Sequence, residues 1–301
     1  MNYIILDLEW DSVYHKKYGR FVNQILQIGA VKLNEQLVYT DSFEVTVRSA
    51  ISNRVTGRFT TLTGITKEEM RDGIPAEEAV EAFNRWAGED TVTLTWSTSD
   101  LFAIEENESF VLENARFHLE KYVDLQRYIQ QEMRLLGWQE NGQIALSAAA
   151  EYLSIDIEGI PLHTARADCL LAAAMLQKCY HADRFVPFVR DTRDESFRKR
   201  LFFKPYYLNR ITDPLIDREQ LIFYCETCGN KLKRKTVWRY RNRWFSADFF
   251  CKKCKAEVQG RISFRKMFDD VSVKKKLLTK ESEPEKKENA KDDMQSVPEK
   301  V

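Results

Sequence analysis

MNYIILDLEW, residues 1–10, opens the chain, and its reading decides the fold. Tyr3 to Leu8 is rich in Ile, Leu and Tyr and predicts a buried strand. Side chains alternate faces along a strand. Tyr3, Ile5, Asp7 and Glu9 therefore share one face, and Ile4, Leu6, Leu8 and Trp10 share the other. Two carboxylates project together from the end of an apolar strand. An unpaired buried carboxylate is costly, and two side by side repel. A divalent cation relieves both costs, and magnesium or manganese suits hard oxygen donors. Taken by itself the pair equally describes a solvated rim or a partner for an arginine.

Working outward, QILQIGAVKL (24–33) predicts a second strand and LVYTDSFEVTV (37–47) a third, with Asn34-Glu35-Gln36 as a tight hairpin connection. Three antiparallel strands at the head of a mixed chain point to an α/β layer fold. FTTLTGITKEEMR (59–71) reads as a loop leading into a helix, with Thr66 and Glu69 spaced as a capping box. Pro75 opens another helix, which carries Ala79, Ala82, Phe83 and Trp86 on one face and ends at Gly88. TVTLTW (91–96) is a fourth strand. The Ser97-Thr98-Ser99-Asp100 segment behind it leads into a helix, and Asp100 there also reads as an N-cap. Further helices are expected over 126–136, 146–153 and 163–180, the first entered by a short strand at 122–125.

The last of these helices, HTARADCLLAAAMLQKCY, is preceded by Pro161. Ala165, Asp168, Leu171, Ala172 and Met175 fall on one stripe, so Asp168 lies on the face that should meet the sheet. A carboxylate there needs a partner, either an arginine or a metal. His163 would not share that face in a continuous helix. It reaches the same site only from the loop ahead of the helix.

The 301 residues suit two domains and a tail. A hydrophobic share of 44% and a charged share of 31% describe an ordinary soluble chain. Formal net charge is zero, so whole-chain charge says nothing about nucleic acid. No secretory signal and no apolar run of membrane-spanning length is seen, and a cytoplasmic protein is expected.

Together, DLEW at 7–10, Asp100 behind the TLTW strand and HTARAD at 163–168 resemble the three exonuclease motifs of the DEDDh 3′–5′ exonucleases. QILQIGAVKLN and FTTLTGIT resemble that family's second strand and the loop after its third. The resemblance covers about residues 1–185 and looks closest to the ERI-like subgroup, many of whose members act on RNA. It implies a ribonuclease H-like mixed sheet flanked by helices and a two-metal phosphodiester hydrolase. By that analogy Asp7, Glu9, Asp100 and Asp168 hold two magnesium or manganese ions, and His163 is the general base. Leu8, Trp10 and Leu62 approach the terminal nucleotide. The substrate is single-stranded RNA or DNA with a free 3′ end, RNA favoured, and nucleoside 5′-monophosphates are released. A proofreading or repair DNA exonuclease is the alternative, as is a non-catalytic nucleic-acid-binding protein on the same fold. The second motif lacks the Asn that often precedes its Asp, which makes Asp124 a fallback for Asp100.

Residues 186–220, with charged RDTRDESFRKR (190–200), read as a connector. Cys225-Glu-Thr-Cys228 and Cys251-Lys-Lys-Cys254 follow, two knuckles separated by 22 residues. Four thiolates predict one structural zinc in a ribbon over 221–270, with no open position for substrate. From Cys225 to Lys266 there are 13 Lys or Arg against 3 Asp or Glu, interleaved with Trp238, Tyr240, Trp244, Phe245 and Phe249. That mixture suits single-stranded nucleic acid. The same aromatics would serve as the core of a small domain, and a protein partner for the ribbon stays open. Residues 271–301 are charged, lack aromatics and predict a disordered tail.

Overall fold

A computed structural model of the chain describes residues 1–52, 54–140, 142–156 and 164–279. Two compact units are present, Met1–Phe202 and Phe203–Val301.

In the first unit, β1 (Asn2–His15) and β2 (Arg20–Leu33) form a long antiparallel hairpin, and β3 (Tyr39–Thr46) pairs outside β2. The stretch expected as a loop begins instead with a helix, α1 (Gly57–Thr63). Thr56 accepts from the Phe59 N–H at its start, and Gly64, at φ 76°, ends it. Helix α2 (Lys67–Asp72) carries the reciprocal Thr66–Glu69 capping box. Helix α3 (Ala76–Ala87) follows Pro75, buries Ala79, Val80 and Phe83, and ends at Gly88.

β4 (Thr91–Thr95) runs parallel to β1, α4 (Ser99–Phe110) follows, and β5 (Lys121–Asp124) runs parallel to β4. The remaining elements are α5 (Leu125–Leu135), α6 (Leu146–Tyr152), α7 (Ala165–Cys179), α8 (Ala182–Phe185), β6 (Arg190–Asp191) and α9 (Glu195–Leu201). The mixed sheet has the order β3-β2-β1-β4-β5-β6. Strand β1 sorts its side chains between two cores. Tyr3 and Ile5 join residues of α5, α6 and α7, whereas Ile4, Leu6 and Leu8 join residues of α3 and α4.

The division between units falls at Phe202, inside the stretch read as a connector. Phe197 and Leu201 of α9 pack on the core beneath α3 and α4, and Leu208 and Ile216 are buried in the core of the second unit. Apolar side chains spaced among the charges draw each half onto a different core.

The second unit is antiparallel: β7 (Tyr206–Tyr207), β8 (Lys233–Arg234), β9 (Arg239–Arg241), β10 (Trp244–Phe250), β11 (Glu257–Lys266) and β12 (Val271–Thr279). Phe223, Phe245, Phe249, Ile262 and Phe264 fill its core. The expectation of a disordered tail from 271 is corrected here. Residues 271–279 form β12, paired along β11 from Val271↔Lys266 to Thr279↔Val258. Val271, Val273 and Leu277 pack on the core. Their alternation supplies an apolar edge that the lysines between them conceal in the composition. The rest of that expectation, 280–301, lies outside the described residues.

Candidate active site and metal centre

Asp7 and Glu9 leave β1 on the side that faces α7, the side of Tyr3 and Ile5. The β1–β2 register shifts between Glu9 and Trp10, passing from Glu9↔Gln27 to Trp10↔Ile25 and leaving Leu26 unmatched. Such a bulge bends a strand and re-aims its side chains. Helix α7 reaches the carboxylates because Gly29 lets it. A Cβ on Gly29 would lie 2.5 Å from the Ala165 Cβ and 2.6 Å from the Arg166 nitrogen. The helix start is fixed by Thr164, whose side chain accepts from the Ala167 N–H, and by the Ala165 N–H donating to Gln27 Oε1 at 3.3 Å. One turn on, Asp168 meets the strand pair. Asp7, Glu9 and Asp168 each offer a ligand oxygen, all within 4.8 Å of one another.

Asp100 stands beside this group rather than inside it. It lies in the first turn of α4, at the carboxyl end of β4, and the helix N-cap is Thr98. The buried Asp100 carboxylate accepts the Leu8 N–H at 3.1 Å. Asp124, the fallback, is the N-cap of α5 and accepts the Arg127 N–H at 3.1 Å. His163 lies outside the described residues.

The electrostatics are those of a cation site. Burial, then repulsion from Asp100, Glu9 and Asp168, pushes the Asp7 carboxyl well above the usual range. Burial, then Asp168 and Asp100, pushes Glu9 up to about 7. Burial raises Asp100 to about 7 against the pull of the Leu8 N–H. An all-oxygen donor set of mutually repelling carboxylates fits a hard divalent ion.

Leu8, Glu9, Trp10, Arg58, Phe59 and Leu62 line a groove of about 510 Å³ alongside. The structure thus brings Leu8, Trp10 and Leu62 together. Asp11 holds the far wall: its carboxylate accepts from the Thr56 N–H at 2.6 Å and hydroxyl at 2.9 Å, and Thr56 caps α1. Sequence reasoning passed over Gly29, Gln27 and Asp11. A glycine inside an apolar strand signals close backbone approach, so Gly29 was open to reading; nothing local marks Asp11 as the partner of Thr56.

In the second unit Cys225, Cys228, Cys251 and Cys254 converge. The Cys225–Cys254 sulfurs are 4.0 Å apart and the Cys228–Cys251 sulfurs 3.5 Å. A tetrahedron with metal–sulfur bonds of about 2.3 Å has sulfur edges of about 3.8 Å. The Cys254 N–H points at the Cys251 sulfur and the Asn230 amide at that of Cys228. All four cysteines are free of disulfides, and the cluster is consistent with zinc.

The exonuclease family model RNase_T matches residues 4–176. No curated protein matches the sequence. Among solved structures, a full-length 3′-exonuclease is 18% identical with a TM-score of 0.50, over 64% of this chain and 91% of its own. Cell-death related nuclease 4 is 22% identical with a TM-score of 0.49, over 59% of this chain; the match spans 62% of that nuclease. E. coli exonuclease I in complex with a dA16 oligonucleotide is 14% identical with a TM-score of 0.46, over 92% of this chain and 63% of its own. Among the described residues no helix is long and apolar enough to cross a membrane. The chain belongs to the RNase_T exonuclease family, and its first unit has that family's ribonuclease H-like fold.

Proposed function

We propose that this DEDDh exonuclease removes nucleoside 5′-monophosphates from the 3′ end of single-stranded nucleic acid, with RNA preferred to DNA. The observation that carries this reading is the convergence of Asp7, Glu9 and Asp168 within 4.8 Å. With Asp100 they would hold two magnesium or manganese ions. Bound there, such ions would supply charge neutralisation for the phosphate and a lowered pKa for the attacking water. The chain's own residues supply the rest. His163 takes the proton of the attacking water on an imidazole nitrogen, a task suited to an unperturbed pKa of about 6.5. Leu8, Trp10 and Leu62 give the terminal nucleotide apolar walls, and Arg58 offers the same groove a cation. Zinc at the four cysteines is structural, since four thiolates leave no open position. Six thiols without a disulfide suit a reducing, cytoplasmic setting.

The preference for RNA rests on the likeness of the Trp96–Asp100 segment to the ERI-like subgroup. The test is incubation with matched 5′-labelled RNA and DNA oligonucleotides and manganese, with His163→Ala alongside. A ladder shortening from the RNA 3′ end, absent in the variant, is expected. Faster shortening of DNA would move the enzyme to repair or proofreading. Binding of both with shortening of neither would make the fold a binding platform.

A further inference from the structure

The aromatics of the second unit divide between its core and its open face. Phe245 and Phe249 point into the core from β10 and are buried, and Trp238 packs on Phe223 and Phe249. Trp244, of opposite parity on β10, points the other way and is half-buried. Directly paired residues of neighbouring strands share a face. Ser246 pairs with Arg239 on one side and Arg261 on the other, and Arg261 pairs with Lys276. Arg239, Arg261 and Lys276 therefore form one row across β9, β10, β11 and β12. Arg241, paired with Trp244, and Lys274, paired with Ser263, extend the same face, as does Arg265, paired with Tyr207.

The rings on this face are already engaged by cations. The Arg261 guanidinium and the Lys276 ammonium lie 5.5 and 4.9 Å from the centre of the Trp244 ring. Arg243 and Arg265 lie 5.0 and 5.6 Å from that of Tyr207. Arg261 Nε is buried and meets no hydrogen-bond acceptor among the described residues. Lys275, between the two outward lysines, turns inward, lies over Phe223 and donates to the Ile222 carbonyl at 2.7 Å. Acidic side chains stand at the ends of the face: Asp248 and Glu257 on the zinc side, the latter paired with Lys235, and Asp269 and Asp270 at the β11–β12 turn.

We propose that the open sheet face carrying Arg239, Arg241, Trp244, Arg261, Lys274 and Lys276 is a binding site for single-stranded nucleic acid. Rows of cations match the spaced charges of a phosphodiester chain, and a tryptophan set among guanidiniums is a platform on which bases of any identity stack. An acidic protein would satisfy the charges but leave the platform without a function. The site rests on the exonuclease reading only in that the strand it holds is that enzyme's substrate.

The test reads binding alone, so its failure is separate from a failure to find hydrolysis. Full-length protein carrying Asp7→Asn is titrated with a fluorescent uridylate 20-mer at several salt concentrations. The variants are Trp244→Ala, Trp244→Phe, and Lys274→Gln with Lys276→Gln. Zinc content and melting temperature check folding, and the exposed lysine pair keeps the test open if Trp244→Ala does not fold. Trp244→Ala is expected to weaken binding roughly five- to hundredfold, with Trp244→Phe recovering most of it. The lysine pair should flatten the dependence of log K on log salt by about 1.4, the share of two phosphate contacts. Unchanged affinity and slope in folded variants would overturn the site. So would equal competition by inorganic polyphosphate together with an inert Trp244→Ala, which would mark a general polyanion surface.

Discussion

Gly29 sits opposite Asp7 across the β1–β2 ladder and carries the first turn of α7 on its bare Cα. Chain spacing alone would not bring a helix carboxylate to a strand carboxylate some 160 residues away. The missing methyl group does, because it lets the Ala165 backbone settle on β2.

Gly29→Ala should therefore act on the active site without touching a ligand. The new methyl meets backbone atoms, which cannot rotate aside, so α7 must shift. Overpacking of this kind costs about 1–3 kcal/mol. We expect a lower melting temperature and at least a tenfold fall in kcat with weakened manganese dependence. Full activity in Gly29→Ala would show that the close approach is not needed to bring Asp168 in.

Asp100 and Asp124 are separable by what their carboxylates do. Asp100→Asn keeps an oxygen for the Leu8 N–H and loses only charge, so activity should fall more than a hundredfold with the melting temperature held or raised. Asp124→Ala removes a helix cap and should cost about 0.5–2 kcal/mol of stability with kcat nearly intact. The reverse pattern in the two variants would exchange their roles.

Carboxyls raised on folding make the protein without magnesium or manganese sensitive to pH. Glu9 and Asp100 are pushed up to about 7 in the folded chain, and burial beside the other carboxylates raises Asp7 as well. Unfolded carboxyls titrate near 4. Between those values the folded state binds more protons, so this contribution is present in full below about 4 and is lost as pH rises through about 7. The melting temperature of metal-free protein should fall over that window, and added manganese should raise it more at pH 8 than at pH 5. A manganese effect independent of pH would contradict metal binding by these groups.

Metal analysis of the purified chain should find one zinc, released by Cys251→Ala. The variant should lose the fold of the second unit, read as a fall in the sheet signal and in tryptophan fluorescence. Retained zinc in the variant would count against the four-thiolate site.

Much of this site was legible in the sequence because strand and helix periods decide which side chains share a face. Asp7 and Glu9 followed from alternation along MNYIILDLEW, and Asp168 from the apolar stripe of HTARADCLL. Both are local patterns. The placement of Asp100 was not, since its partner, the Leu8 N–H, belongs to a strand that only the fold brings alongside. Helix α1 was missed because FTTLT is β-branched and aromatic, and its Thr56 and Gly64 caps outweigh that propensity. Strand β12 was missed for a different reason: a run of lysines dominates the composition, although every second residue can still face a core.

Strand β12 has a practical consequence for shortening this chain. A cut at residue 270, where the charged segment begins, would remove the partner that runs along β11 from Lys266 to Val258. The backbone N–H and C=O groups of β11 would then form a bare edge, and the core around Val258, Ile262 and Phe264 would lose the cover of Val271, Val273 and Leu277. Unprotected edges of that kind recruit strands from other molecules. The lysine-rich segment through Thr279 thus covers the β11 edge, and a protein cut at 270 is expected to self-associate, read as a rise in light scattering.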